Sequence, residues 1–372
     1  MHPTPTHPPH AANRIVFLDG LRGIAILLVV LYHAYTRWSD LVPYGERYAH
    51  FPLAQLGWLG VELFFMISGF VIYMTLEKCR SFGEFLYRRW LRLFPAMLLV
   101  SLGVYWTAGF FSERPAGPPH LQDLVPGLTF IDPWWIRRIF RTDQGVLEGV
   151  FWSLFVEAKF YLFFGFIFFA AGRTWAKRAL GLAFTASMLA YCAARSSNSP
   201  ALTSLSGILD FGLSFAYFGW FLIGTLAYEL CKHHERGKLA LVCLLGIILS
   251  WYEGWSHHSA AVALAAATIV TLFMASIYWR RLADALTVRP LLFFGFISYP
   301  FYLMHENLMI AMVRKLGTSE WLLPDFLIPV VPVLIIAALS YLIASYLEPA
   351  VKRVLQAMIA RLRPRAVARQ QP

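Results

Sequence analysis

The sequence predicts an all-α protein whose helices cross a membrane many times and pack into one bundle. Of its 372 residues, 58% are hydrophobic and only 14% are charged, whereas about a quarter of the residues of a soluble domain are charged. Apolar stretches long enough to cross about 30 Å of hydrocarbon recur along the whole chain. The breaks between them are alternately rich and poor in lysine and arginine. These three observations identify a polytopic membrane protein.

About ten transmembrane helices are predicted from the apolar stretches. They cover residues 15–36, 57–76, 94–111, 150–171, 179–194, 208–230, 239–252, 259–279, 291–312 and 326–346. The breaks rich in lysine and arginine are 77–92, 173–178, 231–238, 280–289 and the segment after residue 348. Because basic residues concentrate in cytoplasmic loops, we expect an even number of spans with both termini in the cytoplasm.

The spans leave little chain for a further domain. Residues 14–350 are predicted to form one transmembrane domain, preceded by a disordered tail at 1–13. Residues 351–372 are predicted to form a basic cytoplasmic tail, most of which is a partly amphipathic helix on the inner leaflet. The loop 112–149, rich in proline and tryptophan, is expected to fold back onto the membrane or to cap a cavity. Membrane orientation and anionic lipid headgroups explain the net charge of +11, so nucleic-acid binding is not expected.

The first span carries an arginine and a histidine that face the same side at different depths. Arg22 and His33 are separated by ten residues, eight of which are aliphatic. Eleven helical steps of about 100° return to within about 20° of the starting face and separate the two groups by roughly 16 Å. An ionisable group inside a span is costly to bury and therefore predicts a functional site. The structural alternative is that Arg22 reaches the inner interface and His33 only satisfies a helix contact.

Two further spans contribute polar groups near their outer ends. Glu157 on the fourth span has a depth similar to that of His33, and a His/Glu pair commonly acts as a general base and the group that orients it. A salt bridge between helices is the alternative for Glu157. On the second span, Glu62 lies near the outer end, and Ser68 with Gly69 permits close helix packing.

A cluster of arginines precedes the third span. Arg89 and Arg92 lie three residues apart and share a helical face at the membrane boundary, which suits them to bind phosphates. Arg88 is their neighbour in sequence. A solvated cluster that only sets membrane orientation is the alternative.

The ninth span is predicted to line a cavity. Pro300 is expected to break this helix beside Tyr302 and His305, as happens where polar groups face a cavity. The sequence contains no Walker A loop and no HExxH, GxSxG or GxGxxG motif. A nucleotide-driven pump, a zincin, a serine hydrolase and a dinucleotide enzyme therefore have no support.

Read together, these segments resemble the acyltransferase-3 family of bacterial integral-membrane acyltransferases. The matching segments follow in the family's order from the first helix to the last: Leu18 to Gly23 with His33, Gly60 to Phe70, Arg88 to Arg92 with Pro95, Trp152 to Tyr161, and Ser298 to His305. The family transfers an acyl group, often acetyl, from coenzyme A to hydroxyls of cell-envelope or other carbohydrates. The resemblance therefore implies a multi-pass enzyme of the bacterial inner membrane.

The resemblance also implies roles for individual residues. His33 is expected to act as the general base, and Glu157 to fix its tautomer and to stabilise the imidazolium. The phosphates of acyl-CoA, expected to be acetyl-CoA, would be bound by Arg22, Arg88, Arg89 and Arg92. Substrate contacts are expected from Glu62, Ser68, Trp152, Ser153, Tyr302 and His305. Because a thioester is already activated, no metal is expected.

Two alternatives stay open at the level of sequence. His33 could act as a base in a single displacement, or it could carry the acyl group as a transient acyl-imidazole. A small-solute transporter also suits a polar-lined bundle with a proline-broken helix. It predicts related halves with paired broken helices, which the sequence does not contain. The acceptor glycan, the acyl chain and the oligomeric state are not specified by these patterns.

Overall fold

The computed structural model describes residues 13–197, 199–233, 236–317 and 324–362. This part of the chain is 84% helical and contains no strand. Its α-helices are α1 (Asn13–Tyr32), α2 (Pro52–Gln55), α3 (Gly60–Leu76), α4 (Phe82–Thr107), α5 (Leu124–Thr129), α6 (Pro133–Phe140), α7 (Trp152–Ala171), α8 (Arg173–Ser196), α9 (Pro200–Gly207), α10 (Phe218–His233), α11 (Arg236–Ser256), α12 (Ala260–Tyr278), α13 (Arg280–Ala285), α14 (Arg289–Met304), α15 (Asn307–Gly317), α16 (Val330–Leu342) and α17 (Glu348–Leu362).

Short turns of other helix types join these elements. The 3₁₀ turns are Gly45–Tyr48, Gly57–Leu59, Ala108–Phe110, Leu121–Asp123, Gly149–Phe151, Phe215–Tyr217 and Asp325–Leu327. The π-helical turns are His33–Arg37, Ile208–Gly212 and Ile343–Leu347. The first π turn directly continues α1, so that helix changes its winding at His33. Such turns are frequent at functional sites because they redirect side chains.

Seven helical segments of the described residues are long and apolar enough to cross a membrane. They are Val16–Arg37, Gly57–Leu76, Phe82–Phe110, Gly149–Ala171, Gly237–Ser256, Ala260–Tyr278 and Asp325–Arg361. An eighth arises if Pro200–Gly212 and Phe215–Lys232, which meet at an angle of 64°, cross together. The predicted all-α membrane fold is confirmed at this level. The count of about ten and the cytoplasmic position of both termini stay predictions.

The helix pairs at the centre of the bundle approach through glycines. α1 packs along α14, and α3 packs along α10. Gly295 of α14 faces the backbone of Asp19 so closely that a Cβ would collide with the Asp19 carbonyl. Gly224 of α10 faces the Met66 carbonyl of α3 in the same way. Small residues at these crossings allow the close contacts that hold membrane helices together.

The third span begins earlier than the sequence predicts. The Ser81 side chain accepts a hydrogen bond from the Glu84 amide, at 3.2 Å, and so caps the first turn of α4. α4 then runs without interruption through Pro95. The three arginines therefore lie on α4 itself rather than in a loop before it. The expected break at Pro300 is also misplaced, because α14 continues past this residue and ends at Met304.

The loop 112–149 covers a cavity, as one of its two predicted roles requires. Asp132, Trp134 and Arg137 from this loop line that cavity. Lys159 of α7 anchors the loop, because its Nζ atom lies 2.7 Å from Asp132 Oδ2. The loop is thus fixed to the bundle and forms part of a wall.

The two predicted tails are only partly described. Nearly all of the tail at 1–13 lies outside the described residues. Of the tail at 351–372, residues up to 362 form α17, which confirms a helix there, and the residues beyond it lie outside the described part. α17 packs against α4, and Glu348 at its start lies 3.1 Å from Arg92.

Candidate active site

Three arginines line one cavity of about 180 Å³. We call it the arginine cavity. Arg22 of α1 and Arg89 and Arg92 of α4 line it. The other lining residues are Val61, Phe64, Phe65, Ile67, Ser68, Val71, Leu93, Ser153, Leu154, Glu157, Ser298, Tyr299 and Tyr302. The structure therefore brings together residues that the sequence singled out on five different helices.

Each arginine of this cavity has a neighbour within hydrogen-bond distance, which for Arg92 is Glu348 of α17. Arg22 Nη1 lies 2.6 Å from Asp19 Oδ1. Arg89 Nη2 donates to the Tyr161 hydroxyl at 2.8 Å, and its guanidinium lies 4.9 Å from the centre of the same ring. Arg89 Nε is buried without a hydrogen-bond partner. A buried donor of this kind favours an anionic ligand.

Arg88 does not join this group. Its Nη2 atom lies 2.6 Å from Glu84 Oε1, one turn away on the same helix, and half of its side chain is exposed. It lines neither this cavity nor the larger one described below. The expected grouping of Arg88 with Arg89 and Arg92 is therefore wrong, because the Glu84 carboxylate holds it at the surface.

Glu157 lies in the arginine cavity and not beside His33. Its carboxylate accepts a hydrogen bond from the Ser68 hydroxyl. The expected His33–Glu157 pair is therefore wrong. Similar depth in two helices does not specify that their side chains face each other, and Glu157 faces α3 and α4.

A second cavity, of about 910 Å³, contains the histidine. We call it the histidine cavity. His33 lines it together with Glu62 and Trp152, which the sequence also singled out. Its other lining residues are Val29, Tyr32, Arg37, Trp58, Val61, Asp132, Trp134, Arg137, Gly149, Val150, Val156, Tyr191, Asp210, Phe211, Ser214, Ala216, Tyr217, Tyr252, Glu253, Ser256, His257, Tyr302 and Glu306.

The two cavities are neighbours that share a wall. Val61 and Tyr302 line both of them. Ser153 donates a hydrogen bond to the Tyr302 hydroxyl at 2.8 Å, which fixes the ring at this boundary. Ligands in the two cavities would therefore lie on either side of Val61 and Tyr302.

Hydrogen bonds fix the tautomer of His33. Its Nδ1 atom lies 2.8 Å from the carbonyl oxygen of Val29. A carbonyl only accepts, so the neutral ring carries its proton on Nδ1 and presents Nε2 as the basic nitrogen. Nε2 lies 3.8 Å from Glu306 Oε1, beyond direct hydrogen-bond distance.

His305 supports the same orientation from outside the cavity. It is completely buried, and its Nδ1 donates to the Tyr302 carbonyl at 2.8 Å. Its Nε2 atom therefore accepts, and it lies 3.2 Å from His33 Nδ1. The two rings meet edge to face at a centroid distance of 4.7 Å. His305 lines neither cavity, so the expected substrate contact is replaced by a contact with His33.

The comparisons with known proteins agree with one another. The family model of the acyltransferase domain matches residues 15–348. The chain belongs to this acyltransferase family. It is 23% identical over 360 residues to the O-acetyltransferase OatA of Staphylococcus aureus (strain NCTC 8325 / PS 47), a match that covers 87% of this chain and 55% of that protein.

A second relative extends this agreement. A putative O-acetyltransferase of Staphylococcus aureus (strain COL) is 30% identical over 157 residues, which cover 40% of this chain and 23% of that protein. The chain thus spans about half the length, or less, of these curated relatives. No solved structure matches it.

Sequence reasoning missed several residues of the candidate site. Glu306 follows the predicted His305 directly, and its Oε2 atom accepts from the Val150 amide at 2.9 Å. The His-Glu dipeptide that follows the proline-containing span could have indicated a role for Glu306, but only His305 was predicted as a site residue. Its position depends on α14 ending at Met304, which turns the next residues back towards α1.

A buried contact between Arg114 and Glu148 lies behind Glu306. Glu148 accepts from the Asn307 side chain at 2.6 Å and lies 3.5 Å from Arg114 Nη2. Burial raises the pKa of Glu148 to about 8; the Arg114 charge lowers this pKa and the Glu306 charge raises it. Arg114 also donates to the Leu147 carbonyl at 2.7 Å. The pair fixes the loop beside the turn that carries Glu306, and no periodic signal marks it in the sequence.

Proposed function

We propose that this protein is an O-acyltransferase that moves an acyl group, expected to be acetyl, from acyl-CoA to a hydroxyl of a cell-envelope or exported glycan. The observation that carries the proposal is the shared wall of two cavities, one lined by three arginines and the other by the basic nitrogen of His33. The family match and relatives with O-acetyltransferase names support the same chemistry. In this proposal residues 14–350 form the acyltransferase domain and the protein lies in a bacterial inner membrane.

The donor occupies the arginine cavity in this proposal. Arg22, Arg89 and Arg92 supply guanidinium groups, which bind phosphate through paired charge-assisted hydrogen bonds. All three lie in the first half of their helices, and the segment 77–92, which leads into α4 and holds part of it, is rich in basic residues, so phosphates would enter from the cytoplasmic side. The thioester would extend towards Tyr302, where the two cavities adjoin.

The acceptor occupies the histidine cavity. His33 Nε2 takes the proton of the acceptor hydroxyl, and the resulting oxygen attacks the thioester carbonyl carbon. The carbon–sulfur bond breaks, the thiolate takes the proton from the imidazolium, and the products are an ester and free coenzyme A. General-base catalysis of this kind contributes about 10²- to 10⁴-fold in rate.

Glu306 takes one part of the role expected of Glu157, the stabilisation of the imidazolium. Its carboxylate lies 3.8 Å from His33 Nε2, so it stabilises the positive charge that forms when the ring accepts a proton. His305 and the Val29 carbonyl hold the opposite nitrogen. The contacts at Nδ1 thus orient the His33 ring, and the Glu306 carboxylate balances the charge that forms at Nε2.

Reconstitution with a labelled donor tests the proposal. The protein is placed in proteoliposomes that contain acetyl-CoA labelled on the acetyl group, and envelope glycans are supplied on the opposite side. We expect acetylated glycan and free coenzyme A to appear in equal amounts. Movement of solute with no acetylated product would indicate a small-solute transporter and overturn the proposal.

A further inference from the structure

The histidine cavity contains an acidic pair that the proposed proton transfer does not use. Glu62 of α3 and Glu253 of α11 both line it. Their residues are only 2% and 9% exposed, and their charges act on each other. Two carboxylates buried together cannot both stay ionised without a compensating cation. This pair therefore calls for a partner.

The described residues do not supply a strong cation to this pair. Glu62 Oε2 is buried without a hydrogen-bond partner. Arg37 lines the same cavity but stacks on Trp38, with 4.5 Å between the guanidinium and the ring centre. Arg137 also lines the cavity, and no ion pair of the described residues joins either arginine to the acidic pair. Glu62 therefore presents an unpartnered buried oxygen to a ligand in the cavity.

His257 is a basic group beside one member of the pair. Its Nε2 atom lies 3.7 Å from Glu253 Oε2. Desolvation lowers the pKa of His257, which disfavours the positive charge that would balance a carboxylate. The compensating charge must then come from a proton or from a ligand.

The walls next to the pair are aromatic. Tyr217, Tyr252 and Trp58 line the same cavity, and Tyr217 packs on Trp152 at a centroid distance of 5.3 Å. Aromatic faces attract organic cations, and carboxylates with aromatic rings together form an ammonium site. Among the described residues there is no group of three or more His, Cys, Asp or Glu side chains that could hold a metal ion.

We propose that Glu62 and Glu253 bind the ammonium group of an amine-bearing acceptor, such as an unacetylated amino sugar. This inference rests on the proposed acyl transfer, since the acceptor occupies the same cavity as His33. A bound ammonium keeps its proton and has no lone pair for attack on a thioester. The pair would therefore direct the acyl group to a hydroxyl and away from the amine.

Equilibrium binding of labelled D-glucosamine to the full chain in lipid nanodiscs tests this inference, with D-glucose as the neutral comparison. No acyl donor is present. We expect glucosamine to bind at least about tenfold more tightly than glucose. Glu62→Gln and Glu253→Gln should each remove the preference, whereas Glu46→Gln, on an exposed turn, should keep it.

Equal affinity for the two sugars, no saturable binding of glucosamine, or a preference that survives both substitutions would overturn the inference. The comparison of sugars on the unchanged protein decides the matter even if a variant fails to fold. Because the donor is absent, a failure here leaves the proposed acyl transfer untouched. Conversely, loss of acyl transfer with intact glucosamine preference would count against the proposed function alone.

Discussion

The Nε2 atom of His33 lies 3.8 Å from Oε1 of Glu306. The opposite nitrogen of the same ring is held by the Val29 carbonyl and faces His305. The residues come from the end of α1 and from the turn between α14 and α15. The close packing of these helices therefore assembles the proposed base and its counter-charge.

Glu306→Gln should lower kcat for acyl transfer by about 10²-fold. The amide keeps the shape of the side chain, but it no longer stabilises a protonated His33. The KM for acetyl-CoA should change little, since Glu306 does not line the arginine cavity. Steady-state kinetics with coenzyme A release as the readout measures both constants.

Glu157→Gln is the matched control for this carboxylate. Glu157 lies in the arginine cavity with Ser68, so its substitution should change the KM for the donor more than kcat. The opposite pattern, in which kcat depends on Glu157 and not on Glu306, would contradict the assignment of Glu306 to His33 and of Glu157 to the donor.

Arg89→Gln and Arg92→Gln should each raise the KM for acetyl-CoA by about 10- to 100-fold. This follows because a hydrogen bond between charged groups contributes about 1.5–3 kcal/mol. Arg88→Gln should leave the KM within about twofold, since Arg88 is paired with Glu84 outside the cavity. An equal increase of KM in all three variants would indicate that Arg88 binds the donor together with Arg89 and Arg92, as the sequence alone suggested.

Gly295→Ala should destabilise the protein by about 1–3 kcal/mol, because the added methyl group collides with the backbone of α1 and cannot be accommodated by a side-chain movement. Gly83→Ala is the control, since a Cβ at this position meets nothing within 4 Å. It should be neutral or stabilising by up to about 1 kcal/mol. Thermal unfolding in detergent compares them, and equal melting temperatures would contradict the close α1–α14 packing.

Glu148 should make stability depend on pH. Burial raises its pKa in the folded protein to about 8, above the unfolded value of about 4.3. The folded state therefore binds the extra proton, so this contribution to stability is complete below the unfolded pKa and is lost as pH rises through about 8. The melting temperature should fall between pH 6 and about pH 9, and this fall should be smaller in Glu148→Gln. An unchanged slope in the variant would assign the pH dependence to another group.

The sequence predicted best what depends on local geometry. The spacing of Arg22 and His33 follows from helix periodicity, and the structure places both on cavity walls. The spacing of Arg89 and Arg92 predicts a shared helical face, and both residues line the arginine cavity. These predictions needed only the knowledge that the segments are helical.

What the sequence could not predict depends on how helices rotate against one another. Glu157 has a depth comparable with His33, yet it faces Ser68, because depth does not fix the direction in which a side chain points. Glu306 reaches His33 only because α14 ends at Met304 and packs closely on α1. Arg114 and Glu148 lie in a loop without periodicity, so their burial had no signal.

Acyl transfer by His33→Ala tests the central claim most directly. The variant and the unchanged protein are compared in nanodiscs with labelled acetyl-CoA and envelope glycan, after size-exclusion chromatography and thermal unfolding show the same fold. We predict a loss of transfer of at least about 10²-fold with donor binding retained. Transfer within twofold of the unchanged protein would contradict the account, because the basic nitrogen in the histidine cavity would then be dispensable.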